Sequence, residues 1–110
     1  MRRFSMAFAL ALAPIAAAAA TLSPSTIVAG ASSYDGKTVT VTGKVSNFQT
    51  SSTMMGTVAG FQLCDSKCVV VIDQTNHART NGSTATVTGT FHTTFKGPRK
   101  TFSNAVVIGR

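Results

Sequence analysis

The sequence predicts an all-β domain in which five short strands close into a small sandwich or barrel. Three observations carry this expectation. Valine and threonine alternate with period two over residues 37–45, the pattern of a half-buried strand. Four further runs rich in Val, Phe, Ile and Thr follow, separated by clusters of Gly, Asn, Asp and Ser, which suits a sandwich or barrel. Two of the runs carry a matching interior glycine, Gly43 and Gly89. A glycine inside a strand weakens it unless the chain must bend or bulge there.

The N-terminus has a different character. Arg2 and Arg3 precede an apolar run over residues 6–20, interrupted by Pro14 and ending in Ala18-Ala19-Ala20. A basic head, a short apolar stretch and a small-residue end are the parts of a removable secretory signal. An uncleaved anchor is the alternative, but a membrane span needs about 20 apolar residues and the run turns polar too soon. Cleavage after Ala20 would divide the chain into a signal peptide, 1–20, and one domain, 21–110. The expected location is periplasmic or secreted, with no stable membrane anchor after cleavage.

The elements follow in order. Ser23-Pro24 resembles an N-cap with proline at the first helical position, and Ile27 and Val28 give a short helix or turn an apolar face that ends at Gly30. Tyr34-Asp35-Gly36 is a turn. The first strand turns Val39, Val41 and Val45 to one face, and Thr38, Thr40, Thr42 and Lys44 to the other. Phe48 breaks this parity, as an exposed ring or a bulge. Residues 57–64 form the second strand, with Phe61 and Leu63 inward. Residues 68–72 form the third, apolar on both faces and so expected to be covered. The fourth spans 83–92 with Ala85, Val87 and Phe91 on one face, and the fifth spans 102–108. The polar stretch 73–82 is too short for a long helix between strands three and four. Thr38-Val39-Thr40-Val41-Thr42-Gly43 echoes Thr84-Ala85-Thr86-Val87-Thr88-Gly89. A duplication is one explanation; bending strands that close a barrel are the preferred one.

Two cysteines in an exported chain usually pair. Cys64 and Cys68 bracket Asp65-Ser66-Lys67, a three-residue hairpin turn that would set them opposite each other within disulfide range. The spacing is not that of a C-x-x-C redox centre and precedes a strand, which favours a structural staple.

These residues carry a resemblance. Tyr34-Asp35-Gly36-Lys37-x-Val39-x-Val41-x-Gly43-x-Val45, then Phe61-x-Leu63-x-Asp65, Val87-x-Gly89 and Val106-Val107-Ile108, resemble the exported single-domain bacterial OB-fold proteins, relatives of the tRNA-anticodon-binding, nucleic-acid-binding type. The resemblance spans residues 34–108 and implies a five-stranded OB-type Greek-key barrel with a short N-terminal helix or turn. Its motifs are structural. The stretch 73–82 departs from the helix many such folds carry there, leaving one end of the barrel open or plugged by residues 24–30.

Beyond the leader, eight basic residues face three aspartates, a surplus of five positive charges. A basic domain is drawn to nucleic acid, anionic glycans or lipid head groups, although a modest charge also serves solubility. The strongest binding candidates are Lys96, Arg99 and Lys100, flanked by Phe95 and Phe102 around Gly97-Pro98. OB folds bind oligonucleotides and oligosaccharides with the loop in this position, and cations beside aromatics suit a polyanion with stackable faces. A solvated hairpin tip guarding a strand edge is the competing reading. Few other aromatics are available for stacking, since Trp is absent and Tyr34 is the single Tyr. Met54, Met55, His77, His92 and the cysteines are the ligands a copper carrier would use, but adjacent methionines on a strand point apart and a disulfide consumes the thiols. Three aspartates and no glutamate leave little for acid–base catalysis. Asn81-Gly82-Ser83 fits a glycosylation sequon and also a plain turn, the reading preferred here. The expectation is a non-enzymatic binding domain without catalytic residues, metal or cofactor. Its partner is an anionic polymer or glycan, with nucleic acid as an in-vitro ligand.

Overall fold

A computed structural model describes residues 20–54, 56–97 and 100–109. Residues 1–19, which carry the expected leader, lie outside it, as do Met55, Pro98 and Arg99. The elements run β1 (Thr21–Leu22), α1 (Pro24–Ala29), α2 (Ala31–Tyr34), β2 (Thr38–Thr53), β3 (Gly56–Cys64), β4 (Cys68–Asp73), β5 (Thr84–Lys96) and β6 (Thr101–Ile108). The described residues are mostly β, with short helices only.

The strands form one mixed sheet in the order β1-β2-β3-β4-β6-β5, and an added β2–β5 pairing bends five of them into a near-closed ring. β2 makes this possible by serving two neighbours. Its first half pairs with β5 from Thr38↔Thr90 to Lys44↔Thr84, and its second half pairs with β3 from Lys44↔Cys64 to Thr53↔Gly56. β4 and β6 close the far side in parallel, with Val70 opposite Ala105. β1 lies parallel to β2, with Thr21 opposite Thr40, while β5 holds Thr40 from the other edge. The sequence reading missed this two-residue strand and the four-residue α2.

The two echoing segments are neighbours, paired antiparallel with Val39 opposite Gly89 and Gly43 opposite Ala85. Gly89 is sterically required, and Gly43 stands in a tight backbone approach. A Cβ on Gly89 would meet the Val107 carbonyl oxygen at 2.5 Å, and one on Gly43 would meet the Cys64 carbonyl oxygen at 3.0 Å. Each stands where its strand passes from one neighbour to another.

The inward faces of the strands meet in one core of Val39, Val41, Val45, Phe61, Leu63, Val69, Val71, Val87, Phe91 and Val106, and Ile27 of α1 joins them fully buried. The Ser23 hydroxyl caps α1 by accepting the Thr26 N–H at 3.2 Å, and α1 buries Pro24 and Ile27. Phe48 marks a bulge: the β2–β3 register shifts between Ser46 and Gln49, and its ring rests 6.1 Å from that of Phe61. On β4, Val69 and Val71 are buried while Val70 and Ile72 are half-buried, so its second face is only partly covered.

Three boundaries differ from expectation. β2 runs on to Thr53 through a Ser/Thr-rich stretch beyond the alternating pattern of residues 37–45, so Met54 sits at a hairpin tip. β5 extends to Lys96. Asp73 closes β4 as a fully buried residue and is not part of an exposed polar stretch. Its Oδ1 accepts the Thr75 N–H at 2.8 Å and the Thr75 hydroxyl, which organises the helix-free turn that follows.

Candidate functional site

Two hairpins outgrow the ring. β5 leaves β2 after Thr90, and β6 meets β4 only from Ala105, so residues 94–97 and 100–104 form a two-stranded arm. Its root is fastened by Asp35, whose Oδ1 accepts the Thr93 N–H at 2.9 Å and the Thr93 hydroxyl at 3.3 Å. The Gly36 N–H also donates to the Phe91 carbonyl at 2.7 Å. This arm carries the predicted basic site.

Within it, Phe95 and Phe102 are direct cross-strand partners, and Lys96 pairs with Thr101 one step nearer the tip. Neither phenylalanine belongs to the core or packs against it; both are half-buried on the arm itself. The arm projects past the last layer of core residues, which leaves both rings outside that layer. The Gly97 N–H donates to the Lys100 carbonyl at 2.9 Å and closes the turn. A Cβ on Gly97 would lie 3.2 Å from the Phe102 ring, so glycine lets that ring lie against the turn. Lys100 extends its ammonium over the Phe102 ring at 5.1 Å from the centroid, a cation–π arrangement. The His92 ring lies 5.7 Å from that of Phe95. Lys96, Lys100, Phe95 and Phe102 thus share one arm, and His92 joins them. Sequence alone weighs His92 only as a metal ligand, and its spacing from Phe95 gives no signal of this contact, because residues an odd number apart on a strand point to opposite faces.

The disulfide is elsewhere. Cys64 and Cys68 are bonded, with Cα atoms 4.1 Å apart across the β3–β4 hairpin. Asp65 in its turn accepts the Ser25 hydroxyl at 2.7 Å and the Ser25 N–H at 3.1 Å, joining the hairpin to the start of α1. The Ser25 hydroxyl above all, then the Lys67 backbone N–H, holds the Asp65 carboxyl below its usual value.

A cleft of about 660 Å³ beside this turn is lined by Lys44, Ser46, Asn47, Cys64, Asp65 and Asn81, among others. Its polar side chains are largely committed to the fold. Asn47 donates to the Gln62 Oε1 at 3.0 Å, and Asn81 Oδ1 accepts the Phe48 N–H at 2.9 Å. Asn81 therefore acts as the turn residue expected of it, with Gly82 at a φ of +89°. His77 bonds through Nδ1 to the Thr75 hydroxyl. Among the described residues no three of His, Cys, Asp and Glu come together as a metal site. No helix there is long and apolar enough to cross a membrane. No protein-family model, curated protein or solved structure matches the chain.

Proposed function

We propose that this chain is an exported, non-enzymatic OB-type binding domain that holds an anionic polymer, an envelope polysaccharide or oligosaccharide, on the β5–β6 arm. The carrying observation is the position of Phe95 and Phe102: paired, half-exposed, outside the core and flanked by Lys96 and Lys100. Rings not needed for packing and set beside cations are what a ligand with anionic groups and flat faces requires. The Greek-key barrel reading is supported by a ring in which the first long strand meets the fourth and the third lies parallel to the fifth. In OB folds the loop between the last two strands belongs to the binding surface. Export is supported by the leader-like N-terminus and by the disulfide. The mature domain would be residues 21–110.

Binding of the mature protein to anionic glycans, peptidoglycan and single-stranded DNA, measured at two salt concentrations, tests this reading. Each cation engaged on a polyanion releases counterions, so affinity falls as salt rises. Replacing Lys96, Arg99 and Lys100 together by Ala should weaken binding and flatten the salt dependence with Tm nearly unchanged, since exposed charges contribute little to stability. Unchanged affinity and salt slope in the triple variant would exclude the arm. A second reading, a protein-interaction domain that offers a strand edge, is favoured by the other arm.

A further inference from the structure

The second arm is built from β2 and β3. Segment 81–83 follows β2 only as far as Phe48, through Gly82 N–H to Val45 O and Phe48 N–H to Asn81. β4 leaves β3 after Ala59↔Asp73. From Gln49 outward, β2 therefore has β3 on one edge and no strand on the other among the described residues. A two-stranded ribbon of this kind is marginal in water by itself.

The two arms differ in how their edges are protected. Natural sheets blunt an open edge with charges or proline, and the β5–β6 arm carries Lys96 and Lys100, with Pro98 and Arg99 between them in sequence. Residues 45–64 contain no Asp, Glu, Lys, Arg, His or Pro, in a chain of net charge +7. Gln49, Thr50, Ser51 and Ser52 are all exposed, and Met54 at the tip is wholly exposed. The bulge at Asn47, whose φ is +54°, lies at the root, where bulges bend a strand and re-aim it.

We infer that this arm is a homotypic docking edge, on which the β2 segment 49–53 of one molecule pairs antiparallel with the same segment of a second copy. The occupant follows from charge. Two bodies with the same positive surplus repel, so self-association is least opposed where the chain projects away from the ring and carries no charge. An uncharged, Ser/Thr-rich strand offers backbone donors and acceptors without a repulsive side chain, the condition for edge pairing. Antiparallel pairing of a segment with itself is isologous and closes at two molecules. With the two-fold axis at Ser51, Thr50 of each copy lies opposite Ser52 of the other. The inference is independent of the anionic-ligand reading, which concerns the other arm.

The test is sedimentation velocity of the processed protein across about a hundredfold range of concentration, because a dimer grows by mass action. The expected result is a monomer–dimer equilibrium. Thr50→Lys with Ser52→Lys should yield a monomer of unchanged Tm, since both side chains are exposed. Mixing that variant with Thr50→Glu plus Ser52→Glu should restore a heterodimer, because opposite charges then face each other across the pairing. Lys96→Ala with Lys100→Ala should dimerise like the wild type, which separates this inference from the ligand site. A wild-type protein that stays monomeric throughout, or a Thr50→Lys/Ser52→Lys variant that still dimerises, overturns the proposal.

Discussion

Asp65 occupies a hairpin turn, yet its carboxylate ties that turn to the first turn of α1 through Ser25. Because its pKa is lowered in the folded chain, its contribution is present above the ordinary value of 3.8 and is lost as pH falls through the lower folded value. Asp65→Ala should therefore lower Tm near neutral pH, and wild type and variant should converge in strongly acidic buffer; a pH series of melting curves checks this. Gly89→Ala tests the closest backbone approach. Its Cβ would press on the Val107 carbonyl, so a loss of about 1–3 kcal/mol is expected in urea unfolding, as in other overpacked sites. The two strand glycines were legible as special positions, because glycine weakens a strand that does not need it, but the close backbone approach at each was visible only in the structure. Asp73 was not legible. Its parity with Val69 and Val71 points inward, but a carboxylate is ordinarily placed outside, and only the fold supplies the Thr75 donors that retain it.

At the scale of elements, the strands that bury an alternating face were readable to within a few residues, and the arms were not. Alternation records burial, and a two-stranded ribbon buries neither face, so the Ser/Thr tract of β2 looks like a loop. β1 is too short to have a period. The disulfide was readable because spacing and turn residues agree. Cys64→Ser with Cys68→Ser should cost about 2 kcal/mol by the chain-entropy argument for a small loop, and retain the native far-ultraviolet circular dichroism. The contrast between ring and arm predicts unequal aromatic variants. Phe91 is fully buried, so Phe91→Ala should lose about 3–5 kcal/mol. Phe95→Ala and Phe102→Ala remove rings outside the core and should leave Tm close to wild type while weakening ligand binding. A large loss of stability in either arm variant would return that ring to a packing role.

For the whole molecule, the five-strand ring was legible in outline, but which strands touch was not, since pairing order leaves no mark on periodicity. That order has a consequence in time. The threonine pair Thr40 and Thr88, hydrogen-bonded at 2.9 Å, is separated by 48 residues of chain, and β4 waits for β6, the last strand, to fill its second edge. Folding dominated by such distant pairings is slow, in the millisecond-to-second range, and stopped-flow refolding should fall there. A chain cut after Gly82 has β2, β3 and β4 but nothing to close them, and it should give no cooperative melting transition. A growing polypeptide of this design cannot lock into its final shape until its last strands have been made. Until then it remains threadable, the state in which a protein can be drawn through a narrow pore.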